Sequence, residues 1–143
     1  KDILTSQLLK KYGEEEKELS NSFYLSKEEI KIMHDSGMLI GSHGENHQPM
    51  VNLTAEECKQ EVKGSFKFFR TFLGDQDIKT FCYPFGTPHT FGEREIKILK
   101  KEDVDFSFAV ESRDVTNNDL INNIQSLPRY DCNEFKFGSA YRH

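Results

Sequence analysis

Hydrophobic positions along this chain alternate between a helical period and short unbroken runs, separated by polar, glycine- or proline-marked stretches. Ile3, Leu4, Leu8, Leu9, Tyr12 and Leu19 fall at roughly helical spacing and predict one or two helices, weakened by Gly13 and the charged run 14–18. That run reads as a solvated face. Asn21 to Leu25 makes a short link. Ser26-Lys27-Glu28-Glu29 is a capping box, in which the serine hydroxyl accepts from the Glu29 N–H and the Glu29 carboxylate accepts from the Ser26 N–H. A helix over Lys27–Ser36 follows, with Ile30, Met33 and His34 at core spacing and Gly37 suited to the left-handed position after its end. The run Met38-Leu39-Ile40 then predicts a buried strand.

A second box, Thr54-Ala55-Glu56-Glu57, opens a longer helix that carries Cys58, Val62, Phe66, Phe69 and Leu73 on one stripe and ends at Gly74. The phenylalanines between Phe66 and Phe72 fit a core face better than an aromatic-binding surface. Gly64, in mid-helix, costs roughly 1 kcal/mol against alanine and points to close packing. Beyond it the pattern predicts a strand over Ile78–Tyr83, a loop over Pro84–His89, and a helix from about Gly92 to Lys101 that buries Ile96 and Leu99. A strand over Phe106–Val110, a loop over Glu111–Asn118, a short helix over Asp119–Ile124 and an extended segment over Leu127–Tyr130 complete it. Strands alternating with helices define an α/β class with a mostly parallel sheet. With no repeat, low-complexity tract or linker, residues 1–143 read as one domain or a piece of one.

Composition narrows the classes of function. A chain of 143 residues with 36% hydrophobic and 30% charged residues and a net charge of −5 suits a soluble globular domain. There is no run of about 18 apolar residues to span a bilayer. The acidic balance and the lack of a basic block argue against nucleic acid as a partner. The three cysteines, Cys58, Cys82 and Cys132, are widely spaced with no Cys-x-x-Cys pair, which favours neither a disulfide framework nor a thiolate metal site and inclines toward a reducing, cytoplasmic compartment. The chain opens on Lys1, so an upstream portion is expected.

The chemistry concentrates in Gly41-Ser42-His43-Gly44-Glu45-Asn46-His47-Gln48-Pro49. Its glycines and proline argue against a continuing helix and put His43 and His47 on a loop at the carboxyl end of the Met38–Ile40 strand. Imidazole is the commonest zinc ligand, and a catalytic zinc site takes about three protein ligands with an open position. This pair is half a metal site, or else two solvated loop histidines. It is not the protease pattern His-Glu-x-x-His, because Gly44 follows the first histidine.

An ordered set of segments carries a resemblance. Leu25-Ser26-Lys27-Glu28-Glu29-Ile30 comes first, then Ile40-Gly41-Ser42-His43 with His47 beyond, the capped helix from Thr54, and Phe81-Cys82-Tyr83-Pro84-Phe85-Gly86. Ala109-Val110 and Leu127-Pro128-Arg129 follow. From about Leu25 to Arg129 the chain resembles the polysaccharide deacetylases, the NodB-type, metal-dependent enzymes of carbohydrate esterase family 4. The resemblance implies a distorted, incomplete (β/α) barrel and a divalent ion, zinc or similar, held by one aspartate and two histidines. His43 and His47 match the histidines, with Gly44 where serine or threonine is usual. The family's Thr-Phe-Asp-Asp-Gly motif, source of the ligand and base aspartates, has no counterpart here, which implies the C-terminal portion of a longer enzyme.

The resemblance also implies roles outside the histidine loop. Phe85 matches the last position of Arg-x-Pro-Tyr/Phe and would offer its backbone N–H to an oxyanion, but Cys82 stands where the motif has arginine. The usual Leu-x-Leu-x-His segment of the general acid is missing; His89 is a candidate in its place, or a solvated histidine. Tyr83 and Arg129 are candidate substrate contacts, and Arg129 could equally brace the site. The implied reaction is hydrolytic removal of acetyl groups from an acetylated carbohydrate, N-acetyl before O-acetyl. The alternatives are a non-catalytic carbohydrate-binding relative and a plain α/β domain.

Overall fold

The computed structural model describes residues 16–135, with Gln7 and Lys11 before them. The chain divides into two compact units, Lys1–Met38 and Leu39–His143. In the first, α1 (Glu16–Phe23) and α2 (Lys27–Asp35) are described. The predicted helix over residues 3–19 lies mostly outside the described residues. Its described end runs past Leu19 into the expected link, because Ser20-Asn21-Ser22 contains no breaker and Tyr24 N–H still bonds the Ser20 carbonyl at 3.0 Å. The Ser26 box caps α2 as expected, with Glu29 N–H on Ser26 Oγ at 3.1 Å and Ser26 N–H on the Glu29 carboxylate at 2.8 Å. Gly37 takes φ 91° beyond its end.

The second unit is a parallel sheet with helices packed on one face. Its elements are α3 (Ala55–Leu73), β1 (Thr80–Cys82), α4 (Glu93–Lys101), β2 (Phe106–Val110), α5 (Asn117–Asn122) and β3 (Leu127–Arg129). The three strands are ordered β1-β2-β3 and pair in parallel, with Cys82 opposite Phe108 and Phe108 opposite Leu127. Phe81 and Tyr83 point to the helical side, where they form one buried cluster with Cys58 and Val62 of α3 and Leu99 of α4. Tyr83 stacks on Phe91 with ring centroids 3.7 Å apart. By the two-residue alternation of strands, Cys82, Phe108, Val110, Leu127 and Arg129 lie on the other face. β2 carries this division in its burial: Ser107 and Ala109 are buried, whereas Phe106, Phe108 and Val110 are half-buried.

Three expectations change. Met38–Ile40 is not a buried strand: Met38 and Leu39 are more than half exposed, and only Ser42 makes a parallel bridge, to Phe81. The Ile40 carbonyl accepts instead from the Gln76 side chain at 2.9 Å, which removes an acceptor that a ladder would use. On α3 the fully buried positions are Cys58, Glu61, Val62 and Ser65, with Phe66, Phe69 and Leu73 only half-buried. α5 starts two residues early because Thr116 caps it, its hydroxyl accepting from the Asp119 N–H at 3.3 Å. Arg113 then holds both Asp119 oxygens, at 2.7 and 2.9 Å, and fixes the Glu111–Thr116 loop to that helix.

Tyr83 has no exposed surface, and its hydroxyl donates to the Gln125 carbonyl at 2.8 Å. Its expected contact with substrate is therefore corrected: the side chain is core, and burial pushes the phenol up so that it stays a donor. Replacing Tyr83 by Phe should cost about 1 kcal/mol of stability, the worth of one buried hydrogen bond, measured as a lower urea midpoint at unchanged slope.

Candidate functional site

The site begins with one residue locked to the edge of the sheet. Ser42 N–H donates to the Thr80 carbonyl and the Ser42 carbonyl accepts from Cys82 N–H, each at 2.8 Å. Its hydroxyl lies 2.6 Å from that of Ser65 on α3. A Cβ on Gly41 would fall 2.4 Å from Thr80 Oγ1, so only glycine allows this approach. With Ser42 facing the helices, His43 lies on the opposite face at the carboxyl edge of β1. Its Nδ1 is 2.7 Å from the Cys82 carbonyl. A carbonyl only accepts, so Nδ1 carries the proton and Nε2 keeps its lone pair for another partner.

The rest of the loop is held by a carboxylate that the sequence reading passed over. Glu61 of α3 accepts from the N–H groups of Glu45 and Asn46, both at 2.8 Å, and from the Asn46 side-chain amide. Burial pushes the Glu61 carboxyl up, but the Asn46 amide and the two backbone donors outweigh it and hold it below its usual 4.5. Gly44 turns at φ 81° and its N–H reaches Ser42 Oγ at 3.2 Å. The chain then holds His47 at φ 52°, with its ring centroid 4.8 Å from that of His43. The signal was present in the sequence. Glu61 sits between Cys58 and Ser65 on the inward stripe of α3, and a carboxylate at a core position demands donors.

Phe85 joins the pair from the loop after β1. Its ring centroid lies 4.9 Å from that of His47. Phe85 and Gly86 both have left-handed φ, 64° and 65°. Gly86 is fixed by its carbonyl, which accepts from Val110 N–H at 2.8 Å. Among the described residues the Phe85 N–H has no hydrogen-bond acceptor. Arg129 is half-buried at the end of β3, beside the Cys82 thiol. Burial pushes that thiol up and Arg129 only partly offsets it, so Cys82 is held as a neutral thiol and not a nucleophile. His89 is exposed on the turn that Thr90 N–H closes onto the Thr87 carbonyl, and no described ring contact joins it to either loop histidine. A cavity of about 390 Å³ lies beside His43, lined also by Glu45, Ser65, Phe68 and Phe69.

The spacing of the pair matches what a zinc-like ion requires. Two imidazoles on one tetrahedral ion, bound at about 2.0–2.1 Å, have centroids roughly 5 Å apart, and the observed spacing is 4.8 Å. The donors fit in type and separation. Among the described residues no group of three or more histidine, cysteine, aspartate or glutamate side chains could complete a metal site, so the fit is to two of about three ligands.

A family model, polysaccharide deacetylase, matches residues 4–94. The chain belongs to the polysaccharide deacetylases, as a domain of the NodB type. Among solved structures it is similar to a Streptococcus pyogenes deacetylase, PplD, in complex with acetate, with a TM-score of 0.68 at 19% identity. The likeness covers 79% of this chain and 47% of that one, so the chain spans about half the length of that protein. No curated protein matches it. The shared fold is the mixed α/β arrangement with its small parallel sheet.

Glu61→Gln should cost about 2 kcal/mol at pH 7, since hydrogen bonds to a charged acceptor are worth roughly 1.5–3 kcal/mol. Because the folded carboxyl titrates below its usual 4.5, its stabilisation is complete above that pH and is lost as pH falls through the lower folded value. The wild-type advantage over the variant, measured by urea unfolding from pH 7 to pH 3, should shrink on the acid side.

Proposed function

We propose that this chain forms part of the active site of a metal-dependent hydrolase that removes acetyl groups from an acetylated sugar or polysaccharide. The observation that carries this reading is the pair His43 and His47. One ring is fixed in tautomer by the Cys82 carbonyl, and the second is held 4.8 Å away by a loop clasped to Glu61, in a domain of the deacetylase family. His43 and His47 would hold a divalent ion, zinc by preference for nitrogen donors. Such an ion supplies Lewis acidity toward an acyl oxygen and lowers the pKa of water.

The chain's own residues do the rest of what is assigned here. His43 and His47 present nitrogen donors on an exposed loop, where a polymer can reach them. The Phe85 N–H, with no acceptor among the described residues, is the donor for negative charge developing on the acyl oxygen; such a contact is typically worth about 2.7–4 kcal/mol in the transition state. The β1-β2-β3 sheet, with Ser42 alongside β1, is proposed as one arc of an incomplete (β/α) barrel. The base, the remaining ligand and the acid are assigned to no described residue.

A non-catalytic carbohydrate-binding relative is the second reading, favoured by Cys82 at the motif position where arginine is usual. Turnover of an acetylated oligosaccharide by the intact protein separates the two, because a binding relative retains glycan without releasing acetate.

His43→Ala and His47→Ala should each lower zinc content, read by metal analysis after dialysis, to less than about a tenth of wild type. Stability should change by less than about 1 kcal/mol, because exposed loop side chains bury little surface. Undiminished zinc in both variants would exclude this pair as ligands.

A further inference from the structure

We propose that Arg129 is a carboxylate-binding residue of the histidine cleft, an inference that rests on the deacetylase reading only for the source of the carboxylate. The register puts Cys82 opposite Phe108, Phe108 opposite Leu127 and Val110 opposite Arg129. Strand alternation therefore sends Cys82 and Arg129 to the same face, at its carboxyl edge. Ser42 bridges Phe81 and faces the helices, so His43 shares the face with Arg129. The two are linked through one residue: the Cys82 carbonyl takes the proton of His43 Nδ1, and the Cys82 thiol lies against the Arg129 guanidinium.

Arg129 is also anomalous among its kind. Arg70, Arg94 and Arg113 each hold a carboxylate oxygen within 2.6–2.7 Å. Arg129 is the one described arginine with no carboxylate, and its buried Nε–H has no partner among the described residues. A thiol is a weak acceptor and cannot satisfy a guanidinium. Leaving a buried charged donor unpaired costs more than the roughly 1–3 kcal/mol of a neutral one. The group that fits is planar and anionic, since Nε and an Nη form a fork that a carboxylate fills with two parallel bonds.

Two carboxylates would meet this chemistry. One is acetate, the acid released by deacetylation; the other is an acidic side chain of the protein beyond the described residues. Titrating the intact, zinc-loaded protein with acetate, and measuring kcat/KM against pH, distinguishes them in wild type, Arg129→Gln and Arg129→Lys. If acetate is the ligand, Arg129→Gln should weaken its binding at least tenfold. Arg129→Lys, which keeps the charge but not the fork, should fall between. If the carboxylate is the protein's own, acetate binding should be the same in all three, and kcat/KM should fall at least tenfold in Arg129→Gln. The acidic limb of its pH profile should then move upward, because removing the cation raises a carboxyl pKa, and Arg129→Lys should restore part of the shift.

A wild-type protein that shows neither acetate binding sensitive to Arg129 nor an Arg129-dependent acidic limb overturns the proposal. Zinc retention reports on the deacetylase reading separately. It should be lost in His43→Ala and kept in Arg129→Gln, so a failure at His43 is distinguishable from a failure at Arg129. Arg129→Lys, with its charge in place, guards against a result that merely records misfolding of the glutamine variant.

Discussion

The exchange of backbone hydrogen bonds between Ser42 and β1 is the constraint on which the site depends. Two backbone bonds, Ser42 N–H to Thr80 and Cys82 N–H to Ser42, each at 2.8 Å, tie this segment into the sheet. They set the register of everything beyond. A slip of one residue would turn His43 to the helical side and Ser42 to the open face. Gly41 enforces the approach, because a Cβ there would collide with Thr80. Ser42 secures it from the other side through Ser65. Once the register is set, the Cys82 carbonyl is in place to receive His43, and the same β1 chain runs on into the Phe85 loop. One short stretch of backbone thus places the ring of one histidine and the loop whose aromatic ring lies against the other.

The second requirement is polar. α3 turns Glu61 and Ser65 into the interior beside Cys58 and Val62, an arrangement that would be destabilising if either were left unpaired. The Ser65 hydroxyl donates to the Val62 carbonyl of its own helix at 2.8 Å and meets Ser42 besides, whereas Glu61 is satisfied by the histidine loop through the Glu45 and Asn46 amides. Loop order and helix stability are therefore coupled. Opening the loop would strand a buried carboxylate, which ties the order of an exposed, glycine-containing segment to the stability of the helix beneath it.

Much of this architecture was legible in local sequence. The boxes at Ser26 and Thr54 give their helix starts directly, because a capping box is a contact between residues three apart and needs no tertiary information. The histidine pair and the Phe85 loop stand out in the sequence as motifs, and both lie within the residues 4–94 that the family model matches. What failed was tertiary. Met38–Ile40 reads as a strand by its apolar run, yet Gln76 takes the Ile40 carbonyl, and no periodicity announces that. Tyr83 lies within the Phe81–Gly86 motif but faces the core, since strand alternation sets its direction and the motif does not. The Thr116 cap was missed because its partner, Asp119, is shorter than the usual glutamate. Glu61 belongs to no local motif, and only its place on the inward stripe of α3 argues that it needs donors.

Backbone strain points to the same place as the polar contacts. Three described non-glycine residues have positive φ: His47, Phe85 and Asp103. A left-handed conformation costs an ordinary side chain roughly 1–2 kcal/mol, and such residues persist only where their surroundings over-determine them. Asp103 has a local reason, since it directly follows Glu102, which caps the end of α4. His47 and Phe85 lie on different loops, and yet their rings meet at 4.9 Å. Each loop is held on its near side, by Glu61 before His47 and by the Gly86–Val110 bond after Phe85. Two separate loops held in unfavourable conformations by firm anchors, and brought into contact by them, are difficult to explain by packing alone, because Phe85 is 52% exposed and buries little by the arrangement. The strain is therefore offset by the anchors themselves, the amides that Glu61 holds on one loop and the Gly86–Val110 bond on the other.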